Sequence, residues 1–156
     1  MSELEVKKIK NLLDSKNIDY KLFEHEPVFT SEQASKVRGV DLKTGVKALV
    51  LRTKEGKFIL ALVAADRRID LKKLAKIVNT KDLRLASPEE VLKKTGCEIG
   101  SVHPFGFLHD LETYMDVSVL ENDYINFNVG LHTKNIEMRS EDLVSIIKPI
   151  KCEISK

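Results

Sequence analysis

Val46-Lys47-Ala48-Leu49-Val50-Leu51 and Phe58-Ile59-Leu60-Ala61-Leu62-Val63 are two near-continuous apolar runs, joined by a stretch containing Lys54-Glu55-Gly56. A strand with one wet face alternates polar and apolar residues, and these runs do not. They predict a central β-hairpin buried on both faces, with the glycine-ended polar stretch as its turn. Lys47 is the exception inside the first run. An ammonium there must reach the sheet edge or a polar cavity, because burying it unpaired costs several kcal/mol.

Helices are expected on either side of this hairpin. Upstream, Ser2 with Glu5 reads as a capping box, and Val6, Ile9 and Leu13 recur at helical spacing up to Asn17. Ile18, Tyr20 and Leu22 then alternate as a strand ending near His25-Glu26-Pro27. Thr30 with Gln33 suggests a second cap, and Gly39 a stop, for a short helix around Glu32 to Arg38. Downstream, Asp70 caps a helix with Leu71, Leu74, Ile77 and Val78 on one face, and Leu83 and Leu85 suggest a short strand. Ser87-Pro88-Glu89-Glu90 combines an N-cap, a first-turn proline and a capping-box glutamate, and Gly96 closes that helix. Met115 to Leu120 and Tyr124 to Val129 read as two strands across Glu121-Asn122-Asp123, and Asn135 to Met138 as another. Ser140 is the expected cap of a last helix that Pro149 stops. Strands and helices intermix without strict βαβ order, which favours an α+β domain with a mixed sheet over a doubly wound one.

Composition narrows the function classes. A chain of 156 residues with 42% hydrophobic and 32% charged residues suits one globular domain that builds its core unaided. A net charge of +2 supplies no global attraction to nucleic acid, so RNA binding would need a local patch. The two cysteines, Cys97 and Cys152, lie far apart and match no zinc spacing, which points to a reduced, cytoplasmic setting. No apolar run reaches membrane-spanning length and the N-terminal stretch is polar, so no membrane association is expected.

Gly96-Cys97-Glu98-Ile99-Gly100-Ser101-Val102-His103-Pro104-Phe105-Gly106 packs glycines and a proline between a helix and a strand. It is either a long structural turn or a backbone cradle for a ligand. Cys97, His103 and His109 are a weak metal signal, two ligands on one irregular loop with no second pair, and no metal or other cofactor is expected. A Cys97–His103 nucleophile pair lacks a visible orienting group. No nucleophile elbow, P-loop, dinucleotide fingerprint or zincin motif is present. Arg67, Arg68, Lys72, Lys73 and Lys76, with Lys43, Lys47 and Arg52, form either a solubilising face or a stripe for a phosphate backbone.

Taken in order, these residues resemble the YbaK/prolyl-tRNA-synthetase-associated domain, a family of free-standing and fused aminoacyl-tRNA editing domains. The family's Gly-x-x-x-Pro loop is matched by Gly100-Ser101-Val102-His103-Pro104, followed by Phe105-Gly106, and its strand lysine by Lys47 in Gly45-Val46-Lys47-Ala48-Leu49-Val50. Tyr20 to Pro27, Ile69 to Ala75, Val129 to Met138 and Ser140-Glu141-Asp142-Leu143 also match, so the likeness covers nearly the whole chain, 1–156, as one domain. The resemblance implies a single α+β domain with a mixed sheet curled toward a barrel and surrounded by helices. It also implies a trans-acting deacylase that hydrolyses the ester of a mischarged small amino acid (Ala, Ser, Thr or Cys) on tRNA, with tRNA(Pro) the expected body. A non-catalytic tRNA- or synthetase-binding module of the same fold is the alternative.

By that likeness, Lys47 and the loop residues Gly100, Ser101, Val102, His103 and Pro104 are the catalytic candidates. Tyr20, Phe29, Ala48, Asn128, Gly130, His132 and Asn135 are expected against the substrate, and Lys43, Arg67, Arg68 and Lys72 against the tRNA. The expected partners are the acceptor end of aminoacyl-tRNA and, as a further candidate, prolyl-tRNA synthetase, for a protein that is itself a monomer. Ala48, Asn128 and Asn135 depart from the residues of cysteine-editing members, which argues against copying their specificity. His103 is expected to add bulk and a hydrogen-bonding edge to the cradle.

Overall fold

The hairpin is the centre of the molecule. In the computed structural model, which describes residues 2–27, 32, 33, 36, 39 and 41–156, strand β2 (Val46–Thr53) pairs antiparallel with β3 (Phe58–Ala64) from Val46 opposite Ala64 to Arg52 opposite Phe58. Its turn closes with Thr53 N donating to Lys57 O at 2.8 Å and with Gly56 at φ +93, a left-handed conformation that a side chain would penalise. Burial follows residue parity. Val46, Val50, Leu60 and Leu62 enter one core with Val6, Ile9 and Leu13, whereas Leu51, Ile59, Ala61 and Val63 enter a second with Leu74, Tyr114 and Ile154. Both faces are covered, as the apolar runs require.

Around the hairpin lies a five-stranded sheet, ordered β4-β2-β3-β5-β8. Strand β4 (Leu83–Leu85) runs antiparallel to β2, β5 (Glu112–Asp116) runs parallel to β3, and β8 (Ile150–Cys152) runs parallel to β5. A separate antiparallel sheet, β1-β7-β6, is built from β1 (Tyr20–Glu24), β6 (Tyr124–Asn128) and β7 (Lys134–Arg139). The α+β class is as the sequence implies. The strands divide between two sheets that meet at an isolated parallel bridge between Gly45 and Asn126, and they are not closed into a ring.

Among the described residues the α-helices are α1 (Ser2–Ser15), α2 (Leu71–Val78), α3 (Pro88–Thr95) and α4 (Ser140–Ile147). The Asp70 cap is present, its carboxylate accepting from Lys72 N and Lys73 N. So is the Ser87–Glu90 capping box. The Ser2 side chain and the Thr30 cap lie outside the described residues, as does most of the helix expected over 32–38.

Three expectations change. The run 115–120 is not a strand: β5 ends at Asp116, whose Oδ2 accepts from Ser118 N at 3.1 Å and starts a 3-10 helix, Val117–Glu121. That turn carries the chain from one sheet to the other, so β5 and β6 do not form a hairpin. Ser140 does not cap α4, because its hydroxyl donates to Asn122 O at 2.6 Å. Beyond Pro149 the chain adds β8, a strand too short to show periodicity.

Gly106 opens a 3-10 helix, Gly106–His109, pressed against β3 and β5. A Cβ there would collide with Thr113 Oγ1 and lie 2.9 Å from Leu111 O and 3.0 Å from Leu60 Cδ2. Gly106→Ala is expected to destabilise the fold by about 1–3 kcal/mol, the usual cost of overpacking. It would be read as a lower urea midpoint at unchanged m-value.

Candidate active site

The glycine loop begins where α3 stops at Gly96, φ +73. Cys97 is buried, with its N–H donating to Thr95 Oγ1 at 3.0 Å. Burial, only partly offset by a bond to Thr95, pushes its thiol up to about 11, so it is protonated and inert as a nucleophile at neutral pH. Ser101 turns back on Glu98, whose carbonyl accepts both the Ser101 N–H at 3.0 Å and its hydroxyl at 2.8 Å. Gly100 adopts φ +87, which glycine tolerates without a Cβ penalty.

Two bonds rivet this segment to the second sheet. Asn128 Nδ2 donates to Gly100 O at 2.7 Å, and Gly130 N donates to Ser101 O at 2.9 Å. Gly130 itself sits at φ +96 in the β6–β7 turn. His132, in the same turn, brings Nε2 to 3.4 Å from Glu98 Oε2. Asn135 pairs with Asn128 across β6 and β7 and is buried, and its Oδ1 has no hydrogen-bond partner among the described residues. Gly100, Ser101, Asn128, Gly130, His132 and Asn135 are thus brought together.

The loop's own side chains point inward. Ser101, Val102, His103 and Pro104 are all buried. The expectation that His103 offers an edge to the substrate is therefore corrected: its side chain is fully enclosed against α1. Phe105 N donates to His103 Nδ1 at 3.2 Å, which leaves the ring hydrogen of the neutral imidazole on Nε2, 3.7 Å from Glu5 Oε2. Glu5 Oε1 lies 2.6 Å from His109 Nε2. Glu5, whose role from spacing alone was to close a capping box, instead turns into the core.

Ligand atoms of Glu5, Cys97 and His103 fall within 4.8 Å of one another. A neutral histidine whose Nδ1 already accepts a backbone hydrogen carries its own hydrogen on Nε2 and does not offer that nitrogen to a cation, so the three groups as arranged are a poor donor set for a metal.

Lys47 stands at the seam between the sheets. Gly45 bridges Asn126, Ala65 N donates to Gly45 O at 2.8 Å, and Asn126 Nδ2 donates to Thr44 Oγ1 at 3.0 Å. Because the bridge is parallel, Lys47 and Asn128 lie at the same level, each two residues beyond it. Lys47 Nζ donates to Arg67 O at 2.5 Å. Burial pushes its pKa below the ordinary lysine value, the charges of Glu32 and Asp66 pull it back up, and Arg68 pushes it down again. Arg68 and Lys43 are exposed close to this seam, and Arg67 pairs at 3.7 Å with Glu121. Lys72 is exposed in the first turn of α2.

Other expected residues are placed elsewhere. Ala48 faces the larger core, on the opposite side of β2 from Lys47. Tyr20 pairs with Met138, toward the other end of β7 from Asn135, and its hydroxyl donates to Asp14 at 2.8 Å. Phe29 lies outside the described residues. Sequence reasoning missed Asp116, which organises the Lys47 side from a distance. Its Oδ1 accepts from Ile154 N at 2.8 Å and Ser155 N at 3.1 Å. The same tail segment accepts from Asp70 N at Ile154 O and donates from Lys156 N to Arg68 O, so it anchors the turn that holds Lys47. No local signal marks an aspartate for that task.

Residues 25–146 match the family model of the aminoacyl-tRNA editing domain. The chain is 36% identical over 142 residues to the multifunctional Ser/Thr-tRNA deacylase ProXp-y of Escherichia coli strain K12, covering 88% of this chain and 85% of that protein. It is 31% identical over 141 residues to the prolyl-tRNA editing protein ProX of Acetoanaerobium sticklandii, covering 87% and 86%. Its fold overlays, at a TM-score of 0.85 and 26% identity, on 97% of a crystal structure described as a proposed trans-editing enzyme for prolyl-tRNA synthetase, using 97% of this chain.

Asp116 links this geometry to pH. Burial raises its pKa, but the bonds from Ser118, Ile154 and Ser155 outweigh that and leave it below the ordinary aspartate value. With the folded value below the unfolded one, its contribution is complete above about pH 4 and is lost as pH falls through the folded value. Asp116→Asn keeps one acceptor oxygen and is expected to cost about 1–3 kcal/mol at pH 7. Urea midpoints of the two proteins should converge as the pH is lowered toward 3.

Proposed function

The chain belongs to the aminoacyl-tRNA editing domain family, and we propose that it acts in trans as a deacylase, hydrolysing the ester between a mischarged small amino acid and tRNA. The observation that carries this reading is the Gly100–Pro104 loop, fixed at Gly100 and Ser101 by Asn128 and Gly130, in a chain whose residues 25–146 match the editing-domain model. An aminoacyl ester is already activated. Its hydrolysis needs orientation and electrostatic support more than a strong nucleophile. A loop of fixed backbone groups suits that chemistry, and the protonated Cys97 does not.

In this reading the backbone of Gly100 to Pro104 holds the aminoacyl group near its carbonyl. Lys47 holds the phosphate or ribose of the terminal nucleotide, and Arg67 and Arg68, with Lys43 and Lys72, draw in the acceptor stem. The ribose hydroxyl of the substrate, acting through water, serves as the base. Editing of this kind adds a second sieve where a synthetase cannot reject a small competitor by binding alone. The names of the two curated relatives support Ser and Thr among the candidate amino acids and tRNA(Pro) as the body. Action in the cytoplasm as a monomer, with prolyl-tRNA synthetase as a partner, completes the proposal.

The test is a deacylation panel with tRNAs carrying Ala, Ser, Thr, Cys and Pro. Wild-type protein is expected to release at least one small non-cognate amino acid and to spare prolyl-tRNA(Pro). Lys47→Ala should lower kcat/KM about 100-fold, the scale of a lost electrostatic contact, at unchanged circular dichroism. Arg68→Ala should weaken tRNA binding and make the slope of log affinity against log salt shallower by about one unit. Binding of charged tRNA with the ester intact over hours would sink the reading in favour of a non-catalytic module.

A further inference from the structure

The loop at the proposed active site is clamped at its glycine end by Asn128 and Gly130, and a second clamp grips its proline end from α1. On α1, Glu5 occupies the same stripe as Ile9 and Leu13, an acid in a position that periodicity reserves for the core. Glu5 is only 4% exposed. A buried carboxylate is costly unless donors meet both of its oxygens. Here one oxygen faces His103 Nε2 at 3.7 Å and the other faces His109 Nε2 at 2.6 Å, with the two rings 5.3 Å apart.

His103 is tied at Nδ1 and faces Glu5 at Nε2. Its Nδ1 accepts from Phe105 N at 3.2 Å, which commits Nε2 to carry the hydrogen toward Glu5. The ring is therefore a strut from α1 to the main chain at the end of the Gly100–Pro104 loop. The groups facing Glu5 are His103, His109, Lys8 and Cys97. Burial pushes the Glu5 pKa up, but the His103 bond and the neighbouring positive charges leave it below the ordinary carboxylate value. Burial also holds His109 below the usual imidazole value, against the pull of Glu5. The Glu5 carboxylate is thus enclosed between two imidazole rings, in ion-pair range of both.

We propose that Glu5 is a positioning residue for deacylation: through His103 it fixes the proline end of the loop that holds the aminoacyl group, without touching substrate itself. The proposal rests on the deacylase reading given above. Glu5 lies outside residues 25–146, which match the family model.

Glu5→Gln tests it, because the amide has nearly the same shape but only one acceptor, and one histidine must lose its partner. Deacylation kcat is expected to fall about tenfold or more, the scale of a misplaced reacting group, while KM for charged tRNA stays within about twofold because the cationic seam is untouched. Nitrogen-15 spectra of the imidazoles should show His103 as the Nε2–H tautomer in wild type and a shifted Nε2 resonance in Glu5→Gln. His103→Asn, whose amide reproduces the acceptor for Phe105 N–H but not the reach to Glu5, should lose the same kcat. An Nδ1–H tautomer at His103 in wild type overturns the proposal whether or not a variant folds. So does unchanged kcat in either folded variant. If wild-type protein leaves every charged tRNA intact, the deacylase reading fails, while the imidazole spectra of wild type and Glu5→Gln still decide whether Glu5 holds His103.

Discussion

A hairpin that is apolar on both faces must be covered twice, and the rest of the chain is arranged around that demand. The even-numbered side of β2 and β3 is closed by α1 and the three-stranded sheet, the odd-numbered side by α2 and the segment around Ile154. Covering one face with a second sheet creates a seam, and at that seam a glycine is required. A Cβ on Gly45 would lie 3.0 Å from that of Ala65, tighter than such contacts normally are. The bridge from Gly45 to Asn126 joins the two sheets at the start of β2, two residues before Lys47.

The site so formed uses few side chains directly. Glu5, Asn128 and Asp116 each spend their polar atoms on backbone or on a histidine that in turn holds backbone. Asn128 and Asp116 are tolerated because they are partnered, and their geometry is tight because the interior transmits any misfit. The result is a loop whose backbone is fixed near both ends. Lys47 shows the same economy: the expected choice between snorkelling and facing a polar cavity resolves into partial burial with Arg67 O as a partner.

Much of this could be anticipated from local pattern. The double-faced hairpin, the Asp70 and Ser87 caps, the Gly96 stop and the order of Lys47 and the Gly-x-x-x-Pro loop are all properties of short segments, and family membership followed from their sequence. Where two readings of a short segment were equally local, the chain chose by contacts made elsewhere. The apolar run after β5 became a 3-10 turn because Asp116 caps it, Ser140 gave its hydroxyl to Asn122, and Tyr20 was drawn to Asp14.

Hydrophobic period, turn residues and motif order act over a few positions, so element type, fold class and family could be read from the chain alone. The inward turn of Glu5 and His103, the stitching of residues 154–156 to the Arg68 turn and the bond from Asn128 to Gly100 depend on segments far apart in the chain. Their free energy exists only when both partners are already placed. Only the tertiary structure could decide that the histidine of the loop faces a buried carboxylate on α1.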